Sequence, residues 1–538
     1  MPSGGPAALP RLAVRQLPGP PPLAGDLASL VAAIPLEYLQ TRRWFAGKGR
    51  AVKGLALFDY GLLADQPLVV MALIRVDFHA GEPEVYSLPL LVARPGAGAG
   101  LPADATPFLW LDAPEGGWGV WDALLAPAFG SLLLRRLTEG ASLPTAHGAI
   151  TFEATERLAR AAPAPPPALL RGEQSNTSLR FGDSWIFKLY RRLEWGISRD
   201  LEIAAFFGRW TDFRDTPLLG GSVGYHRMDG HVATLGLLQD FLPNQGDGWS
   251  YVLRQLSATL GALASDPAEA RLREMAGGLL DELEQLGEVT GRMHLALGSR
   301  PDVPDFAPRP ILPRDVAAWR EDLLDQARRA LAGLRLWLAW AAPAERARAA
   351  RLLAREPELL ALLDHLVDRI DPAGLRQIQI HGDYHLGQVL KTSSGWAVID
   401  FEGEPARPLE QRRAKQPALR DVAGMLRSFG YAAHAAQREP GAAAPTSASL
   451  WERLARAAYL RGYRRATAAS DLIPAAADTF GRLVRLFEAA KALYELNYEL
   501  NTRPDWVAIP LEAVERLLLS EREQSERRGE GGRDATST

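Results

Sequence analysis

The period of the hydrophobic residues changes along the chain and predicts a β-rich front part followed by a helical remainder. Apolar runs bounded by turn residues predict strands over Leu55–Tyr60, Leu68–Phe78 and Glu84–Val92. From Tyr251 onward Ala, Leu, Arg and Glu recur at helical spacing, interrupted by the Pro-rich stretch Arg300–Pro313. The pattern therefore predicts a chain of mixed α and β structure.

A β-hairpin is predicted between these two parts. Ser178–Phe181 and Trp185–Tyr190 have the pattern of two strands, and Gly182-Asp183 between them suits a tight turn. Helical material begins near Asp200. The Pro-rich segment Ala161–Pro167, before the hairpin, has the composition of a linker or a long exposed connection.

Composition narrows the class of protein. A chain of 538 residues exceeds what one hydrophobic core usually serves, so two or three subdomains are expected. The net charge of −3 excludes a strongly basic nucleic-acid surface as the main feature of the chain. There is no cysteine, which excludes disulfides, thiolate metal sites and cysteine nucleophiles.

The apolar stretches do not predict export or membrane insertion. Met1–Pro22 has no continuous apolar segment before a small-residue cleavage site, so a secretory signal is not expected. Leu68–Ile74 is too short to cross a bilayer. We expect a soluble, cytoplasmic protein with no nucleic-acid or membrane partner, either a monomer or a homodimer.

The segment around Asp383 carries the strongest chemical signal. Kinases with the protein-kinase architecture place a catalytic Asp, then a metal-binding Asn, then a second metal-binding Asp before a Gly. Asp383, Gln388 and Asp400 follow this order, with Gln at the usual Asn position. Asp383 is the predicted catalytic residue, which aligns the attacking hydroxyl, and Gln388 and Asp400 are predicted Mg²⁺ ligands. A loop Asp that merely caps a helix is the alternative for Asp383.

Three neighbours of this loop have less certain roles. Glu402 is either a further ligand, here assigned to the substrate, or only a neighbour. His381 and His385 flank Asp383, which could indicate a transition-metal site, but no second His cluster or Cys supports it. We expect His381 to pack under the loop and orient the backbone, and His385 to hydrogen-bond near the substrate or metal.

The hairpin predicts a nucleotide site. Lys188 lies mid-strand, and we expect Glu202, at the start of the next helix, to pair with it and clamp phosphates of ATP. A surface lysine with a solvated glutamate is the alternative. Weaker nucleotide contacts are predicted for the small polar residues before the hairpin and for the segment after residue 238, namely Ser175, Asn176, Thr177, Gln239 and Phe241.

A helix near the C-terminus predicts a sugar site. Lys491, Tyr494, Glu495 and Tyr498 share one helix face, and sugars are bound by such mixtures of aromatic and charged side chains. A solvated amphipathic face with an i,i+4 Lys–Glu pair is the alternative.

The predicted fold is α+β: a bilobed protein-kinase-like fold with a β-rich N-terminal cap domain and a large helical C-lobe. The cap covers residues 1–135, and an intermediate subdomain with the ATP-binding hairpin covers 136–243. The helical C-lobe with the catalytic loop and sugar site covers 244–520, and a disordered tail covers 521–538.

Several motifs in the chain resemble those of bacterial maltokinases, within the aminoglycoside phosphotransferase-like and eukaryotic-like kinase superfamily. The resemblance extends from about Arg42 to the helices near Leu519. The motifs are Arg42–Lys48, Glu173–Ser178, Gln245–Trp249, His381–Leu390, Asp400–Pro405, Leu419–Phe429 and Arg503–Trp506.

The resemblance implies ATP- and Mg²⁺-dependent phosphorylation of maltose at its anomeric hydroxyl, giving maltose 1-phosphate for α-glucan (glycogen) synthesis, with the maltose made from trehalose. It places Asp383, Gln388 and Asp400 on the catalytic and metal motifs, and Lys188 on the phosphate lysine. Because some maltokinases are fused to trehalose synthase, a separate trehalose synthase is a candidate partner.

Three other classes of activity remain to be compared. Glucosamine, or another small sugar, is the alternative substrate on the same scaffold. An aminoglycoside kinase is less favoured, because the acidic residues are not concentrated as a polycationic drug would require. A nucleotide-sensing pseudokinase is disfavoured by the intact set of Asp383, Gln388, Asp400 and Lys188.

Overall fold

The chain forms two compact units. The first comprises Met1–Arg209 and Pro217–Pro243, and the second Trp210–Thr216 and Asn244–Thr538. A computed structural model describes residues 10–14, 24–94, 96, 100–102, 104–114, 116–162, 164–170, 176–263, 269–405, 407–438 and 445–519. The predicted tail 521–538 lies outside the described residues, and the predicted division into a cap, an intermediate part and a C-lobe stays a prediction.

The first unit begins with a six-stranded sheet in the order β1-β5-β6-β4-β3-β2. Its pairings are antiparallel except that β1 runs parallel to β5. The three strands predicted in this region are confirmed, with β2 longer than expected at both ends. The strands are β1 Arg11–Ala13, β2 Val52–Ala64, β3 Leu68–Phe78, β4 Glu84–Ala93, β5 Leu109–Ala113 and β6 Gly116–Asp122.

A seven-stranded sheet follows in the order β7-β8-β12-β13-β11-β10-β9. The predicted hairpin is present as β10 and β11, with Ser178 paired to Lys188. Two long strands after residue 218 were missed, since the sequence had been assigned helical character from Asp200 onward. The strands are β7 Ser142–Pro144, β8 Gly148–Ala154, β9 Ala168–Leu169, β10 Asn176–Phe181, β11 Trp185–Tyr190, β12 Leu219–Arg227 and β13 Val232–Asp240.

One apolar cluster joins the two sheets of the first unit through a helix. Phe129 and Leu133 of that helix pack with Met71 from the first sheet and with Ile150 and Phe152 from the second. Burial of such side chains is the main favourable term in folding. The helices of this unit are α1 Ala24–Ala32, α2 Leu36–Gln40, α3 Pro127–Thr138, α4 Glu156–Ala159 and α5 Arg199–Trp210.

A buried carboxylate also links the two sheets. Asp59 of β2 accepts hydrogen bonds from the amides of Ala146 and His147 and, at 2.6 Å, from the hydroxyl of Tyr225 on β12. A buried charge is tolerated only when it is hydrogen-bonded in this way.

The second unit is mostly helical, as predicted. Its helices are α6 Gly248–Ala262, α7 Glu269–Leu297, α8 Pro313–Trp337, α9 Pro343–Ala354, α10 Glu356–Asp368, α11 Leu409–Arg412, α12 Leu419–Gln437, α13 Pro445–Thr467 and α14 Ala477–Thr502, followed by a helical stretch over 508–519. Among the described residues, none of the helices combines the length and the apolar run needed to cross a bilayer.

Two small sheets complete the second unit, and one of them supports the catalytic segment. Strands β17 and β18 form an antiparallel hairpin after the predicted catalytic loop, and β14 pairs with β17. The strands are β14 Asn244–Asp247, β15 Arg309–Pro310, β16 Arg376–Gln377, β17 Val389–Thr392 and β18 Gly395–Val398. Strand β18 thus ends shortly before Asp400, and the predicted α+β class is confirmed.

Candidate active site

A buried carboxylate on α12 fixes the backbone of the predicted catalytic loop. Asp421 accepts hydrogen bonds from the amide of His381 at 2.6 Å and from the amide of Gly382 at 2.9 Å. Its Oδ2 also lies 3.1 Å from Nε2 of His294 on α7. Burial alone would raise the pKa of Asp421, but His294 and the loop amides hold that pKa below its usual value.

Close packing of α12 against the loop depends on a glycine. A Cβ on Gly424 would lie 2.6 Å from the carbonyl oxygen of Tyr384, which is closer than atoms can approach. The Tyr384 hydroxyl is 2.9 Å from Oγ1 of Thr290 on α7. The loop that carries Asp383 is therefore held from α7 and α12 at the same time.

His381 connects the loop to the segment before Asp400. The side chain is fully buried, and its Nε2 lies 2.9 Å from the carbonyl oxygen of Ile399. Its ring centroid is 4.9 Å from that of Phe401. The expectation that His381 packs under the loop and orients the backbone is confirmed.

The two predicted metal ligands are brought together by the backbone. The amide of Ile399 donates to the carbonyl oxygen of Gln388 at 3.0 Å, which places Gln388 beside the residue that precedes Asp400. Asp400 has a φ of 65°, a left-handed conformation that is costly for a residue other than glycine and is common at functional sites. One carboxylate and one amide oxygen are hard ligands that suit Mg²⁺. The donor set fits the ion, and the assignment of Gln388 and Asp400 stays a proposal.

Lys491 links Asp383 to a second carboxylate. Its Nζ lies 3.3 Å from Oδ1 of Asp383 and 3.0 Å from Oε1 of Glu404. Glu404 also accepts from Nε of Arg407 at 2.6 Å. Burial opposes each charge, but the ion pairs prevail: they raise the pKa of Lys491 and lower that of Glu404.

A cleft opens beside this ion-pair cluster and encloses about 760 Å³ of empty space, including space open to solvent. Lys491 and Tyr494 line it, together with Gln326 of α8, Glu404 and Arg407. The predicted sugar helix therefore contributes to a cleft that is also lined by Gly382 and Tyr384, the two neighbours of the predicted catalytic residue.

The other two residues predicted on that helix face do not line the cleft. Glu495 accepts from the buried guanidinium of Arg427 at 2.7 Å, so it forms an ion pair inside the helical core. The side chain of Tyr498 is 45% exposed, and the guanidinium of Arg503 lies 5.4 Å from its ring centroid. The expectation that Glu495 and Tyr498 help to form the sugar cleft is therefore corrected. Side chains on one helix face that are separated by two turns can contact different parts of the protein. Because Lys491 pairs with Asp383 and Glu404, the solvated-face alternative is also wrong.

His385 and Glu402 keep their predicted proximity to the site. Nε2 of His385 lies 4.0 Å from Oδ2 of Asp383, and its Nδ1 accepts from the amide of Gly387 at 3.0 Å. Burial lowers the pKa of His385, which favours the neutral ring at neutral pH. The carbonyl oxygen of Glu402 accepts from Arg412 at 2.9 Å. Contact of either side chain with a substrate stays a prediction.

In the first unit, Lys188 of β11 lies against a carboxylate of α5. Its Nζ is 3.2 Å from Oδ2 of Asp200, which also accepts from the hydroxyl of Tyr190 at 3.2 Å. Asp200, whose side chain is buried at the start of the same helix, was not predicted as a partner of Lys188. The element containing a partner was predicted, and contact of Lys188 with Glu202 stays a prediction.

The other predicted nucleotide contacts lie on or near the same sheet. Asn176 and Thr177 begin β10, and Oγ1 of Thr177 accepts from Nε of Arg191 at 2.8 Å, whereas Ser175 lies outside the described residues. Gln239 of β13 is paired with Ile186 of β11. The amide of Phe241 donates to the carbonyl oxygen of Ser184 at 2.9 Å. This bond uses the amide of Phe241, and contact of these residues with a nucleotide stays a prediction.

Three site residues were missed by the analysis of single residues: Glu404, Arg407 and Asp421. Each lies in a motif that carried the family resemblance or directly beside one. A buried acid at the start of a long apolar helix was the available signal for Asp421, because such a charge needs a partner.

Comparisons with known proteins agree with this architecture. Residues 38–124 match the family described as the maltokinase N-terminal cap domain. A glucosamine kinase of Streptacidiphilus jiangxiensis is 33% identical over 278 residues, which cover 50% of this chain and 54% of that protein. A glucosamine kinase of Mycolicibacterium smegmatis is 28% identical over 354 residues, which cover 64% of this chain and 78% of that protein. The chain thus spans about half the length of the first of these relatives.

Solved structures share the fold over nearly the whole chain. A glucosamine kinase in crystal form B has a TM-score of 0.65 at 24% identity, covering 91% of this chain and 99% of its own. A glucosamine kinase in complex with glucosamine, ADP and inorganic phosphate has a TM-score of 0.63, also at 24% identity, covering 92% of this chain and 100% of its own. The chain therefore has the fold of these kinases, and the predicted fold is confirmed. Together with the matches to the curated relatives, this likeness supports the predicted superfamily.

Proposed function

We propose that this protein is an ATP-dependent sugar kinase. The observation that carries the proposal is the position of Asp383, joined through Lys491 to the wall of a cleft. The named activity of the curated relatives supports the same class of enzyme.

In this proposal Asp383 orients the attacking sugar hydroxyl and accepts its proton as the phosphoryl group is transferred. Lys491 holds the Asp383 carboxylate toward the cleft through the 3.3 Å ion pair. Lys188, positioned by Asp200, binds phosphate oxygens of ATP. Gln388 and Asp400 would hold Mg²⁺, which neutralises charge on the phosphates.

We propose maltose as the acceptor and maltose 1-phosphate as the product. The match of residues 38–124 to the maltokinase cap family supports this choice. Supply of maltose by a separate trehalose synthase and use of the product in glycogen synthesis belong to the same proposal. Glucosamine is the second candidate, since the two curated relatives are glucosamine kinases.

A sugar panel with ATP and Mg²⁺, observed by ³¹P NMR, tests the proposal. We expect ATP consumption that depends on maltose, and a new phosphate resonance coupled to the anomeric proton. The Asp383→Asn variant serves as the control for contaminating kinases. If glucosamine is phosphorylated and maltose is not, glucosamine replaces maltose as the proposed acceptor. Failure to phosphorylate any sugar would contradict the proposed function.

A further inference from the structure

The cleft beside the predicted catalytic loop contains an arginine that, within the described part of the chain, lacks a hydrogen-bond partner for one of its donors. Arg420, in the first turn of α12, lines the cleft together with Lys491. Its Nε is buried and has no hydrogen-bond partner among the described residues, which also provide no ion pair for this guanidinium. The nearest aromatic contact is the ring of Phe487, whose centroid is 5.1 Å from Cζ.

The carboxylates that line the cleft are already engaged by other groups. Glu404 is shared between Lys491 at 3.0 Å and Arg407 at 2.6 Å. Asp421 directs its oxygens to the amides of His381 and Gly382 and to His294. Neither acid hydrogen-bonds to Arg420; together with Asp322 of α8 they act on its guanidinium only at a distance.

A guanidinium in this position calls for a ligand rich in oxygen. Withdrawing a charged donor from water without a hydrogen-bond partner costs free energy, and a bound acceptor atom recovers it. The planar guanidinium can donate two parallel hydrogen bonds, which suits neighbouring hydroxyl oxygens of a sugar. An ammonium group has no lone pair to accept a hydrogen bond from Arg420, and the two like charges would repel each other.

We propose that Arg420 is a specificity residue that donates hydrogen bonds to oxygens of the acceptor, and that this donor favours a hydroxyl group over an ammonium group at the position it contacts. The inference rests on the proposed function and specifies its substrate class. Within the residues described, it gives a role to a buried donor that no protein group satisfies.

Glucose and glucosamine provide the sharpest comparison, because they differ only in the group at carbon 2. We would measure KM and kcat for maltose, glucose and glucosamine, and KM for ATP, in the wild type and in Arg420→Met and Arg420→Lys. Arg328→Met, at an exposed arginine of α8, is the matched control. Calorimetric titration of each sugar in the presence of ADP gives a readout independent of turnover.

We expect Arg420→Met to raise KM for maltose by roughly 10- to 100-fold, the loss of one or two charge-assisted hydrogen bonds. KM for ATP should stay unchanged. The ratio of kcat/KM for glucosamine to kcat/KM for glucose should rise. In Arg420→Lys, KM for maltose should lie between the values of the wild type and Arg420→Met. If the Met variant does not fold, KM for maltose in the Lys variant and the sugar preference of the wild type still test the inference.

An unchanged KM for maltose in Arg420→Met or Arg420→Lys, or a wild type that prefers glucosamine to glucose, would overturn the inference and leave the sugar-kinase assignment intact. A wild-type protein that phosphorylates no sugar would overturn both.

Discussion

Nζ of Lys491 lies 3.3 Å from Oδ1 of Asp383, so a cation from α14 neutralises the residue to which we assign the catalytic role. The same Nζ lies 3.0 Å from Oε1 of Glu404. Because one lysine joins the predicted catalytic loop to the cleft wall, its loss should affect chemistry more than nucleotide binding.

Lys491→Met should therefore reduce kcat by about 10²-fold or more, the usual effect of removing one preorganised charge from an active site. KM for ATP should change little. Steady-state kinetics with the preferred sugar would check this, with Lys53→Met at an exposed position of β2 as the control. A variant with wild-type kcat would show that the ion pair has only a structural role.

Asp421→Ala should destabilise the second unit, since it leaves two buried amides and the His294 ring without their acceptor. The free energy of unfolding should fall by about 3–5 kcal/mol, as when one partner of a buried pair is removed. Denaturant titration would measure the loss against Asp281→Ala, an exposed acid on α7. Equal stability of the two variants would disprove the anchoring role of Asp421.

Lys188→Met should raise KM for ATP much more than KM for sugar, because the proposed target of Lys188 is phosphate. Asp200→Asn should have the same effect to a lesser degree, since Asp200 positions Nζ of Lys188 at 3.2 Å. Titration with a fluorescent ATP analogue would measure binding directly. If only KM for sugar rises, Lys188 does not belong to the nucleotide site.

Tyr225→Phe should lower the stability of the first unit at neutral pH and weaken its dependence on pH in acid. Burial raises the pKa of Asp59, but hydrogen bonds from Tyr225 and backbone amides outweigh it and hold this pKa below its ordinary value. A lowered pKa contributes stability above the unfolded value near 3.9, and this stability disappears as pH falls through the folded value.

The free energy of unfolding should therefore fall in Tyr225→Phe at neutral pH by about 1.5–3 kcal/mol, the contribution of a hydrogen bond to a charged group. It should also depend less on pH below about 4 than in the wild type. Denaturant titrations at a series of pH values would measure both effects. Parallel curves for the two proteins would mean that Tyr225 does not affect the pKa of Asp59.

The backbone pattern of the first unit and the catalytic spacing could be read from the sequence because both are local. A β-prone apolar run between turn residues predicted β3 with its observed bounds, Leu68–Phe78. Strands β12 and β13 lie after α5, where the sequence analysis predicts no strand.

The partners of the charged residues were harder to predict, because each depends on contacts distant in sequence. Lys491 pairs with Asp383 across 108 positions and with Glu404 across 87. Helical periodicity placed Lys491 and Glu495 on one face. In the structure, however, Glu495 forms an ion pair with Arg427, and Tyr498 is exposed. Tertiary structure, which decides these pairings, is not encoded in local spacing.

The central claim is tested most directly by the turnover of Asp383→Asn at saturating ATP and sugar, with ATP binding measured in parallel. We predict a fall in kcat of about 10²–10⁴-fold, the usual contribution of a general base, with ATP affinity close to wild type. Full turnover in a folded Asp383→Asn variant would contradict the account.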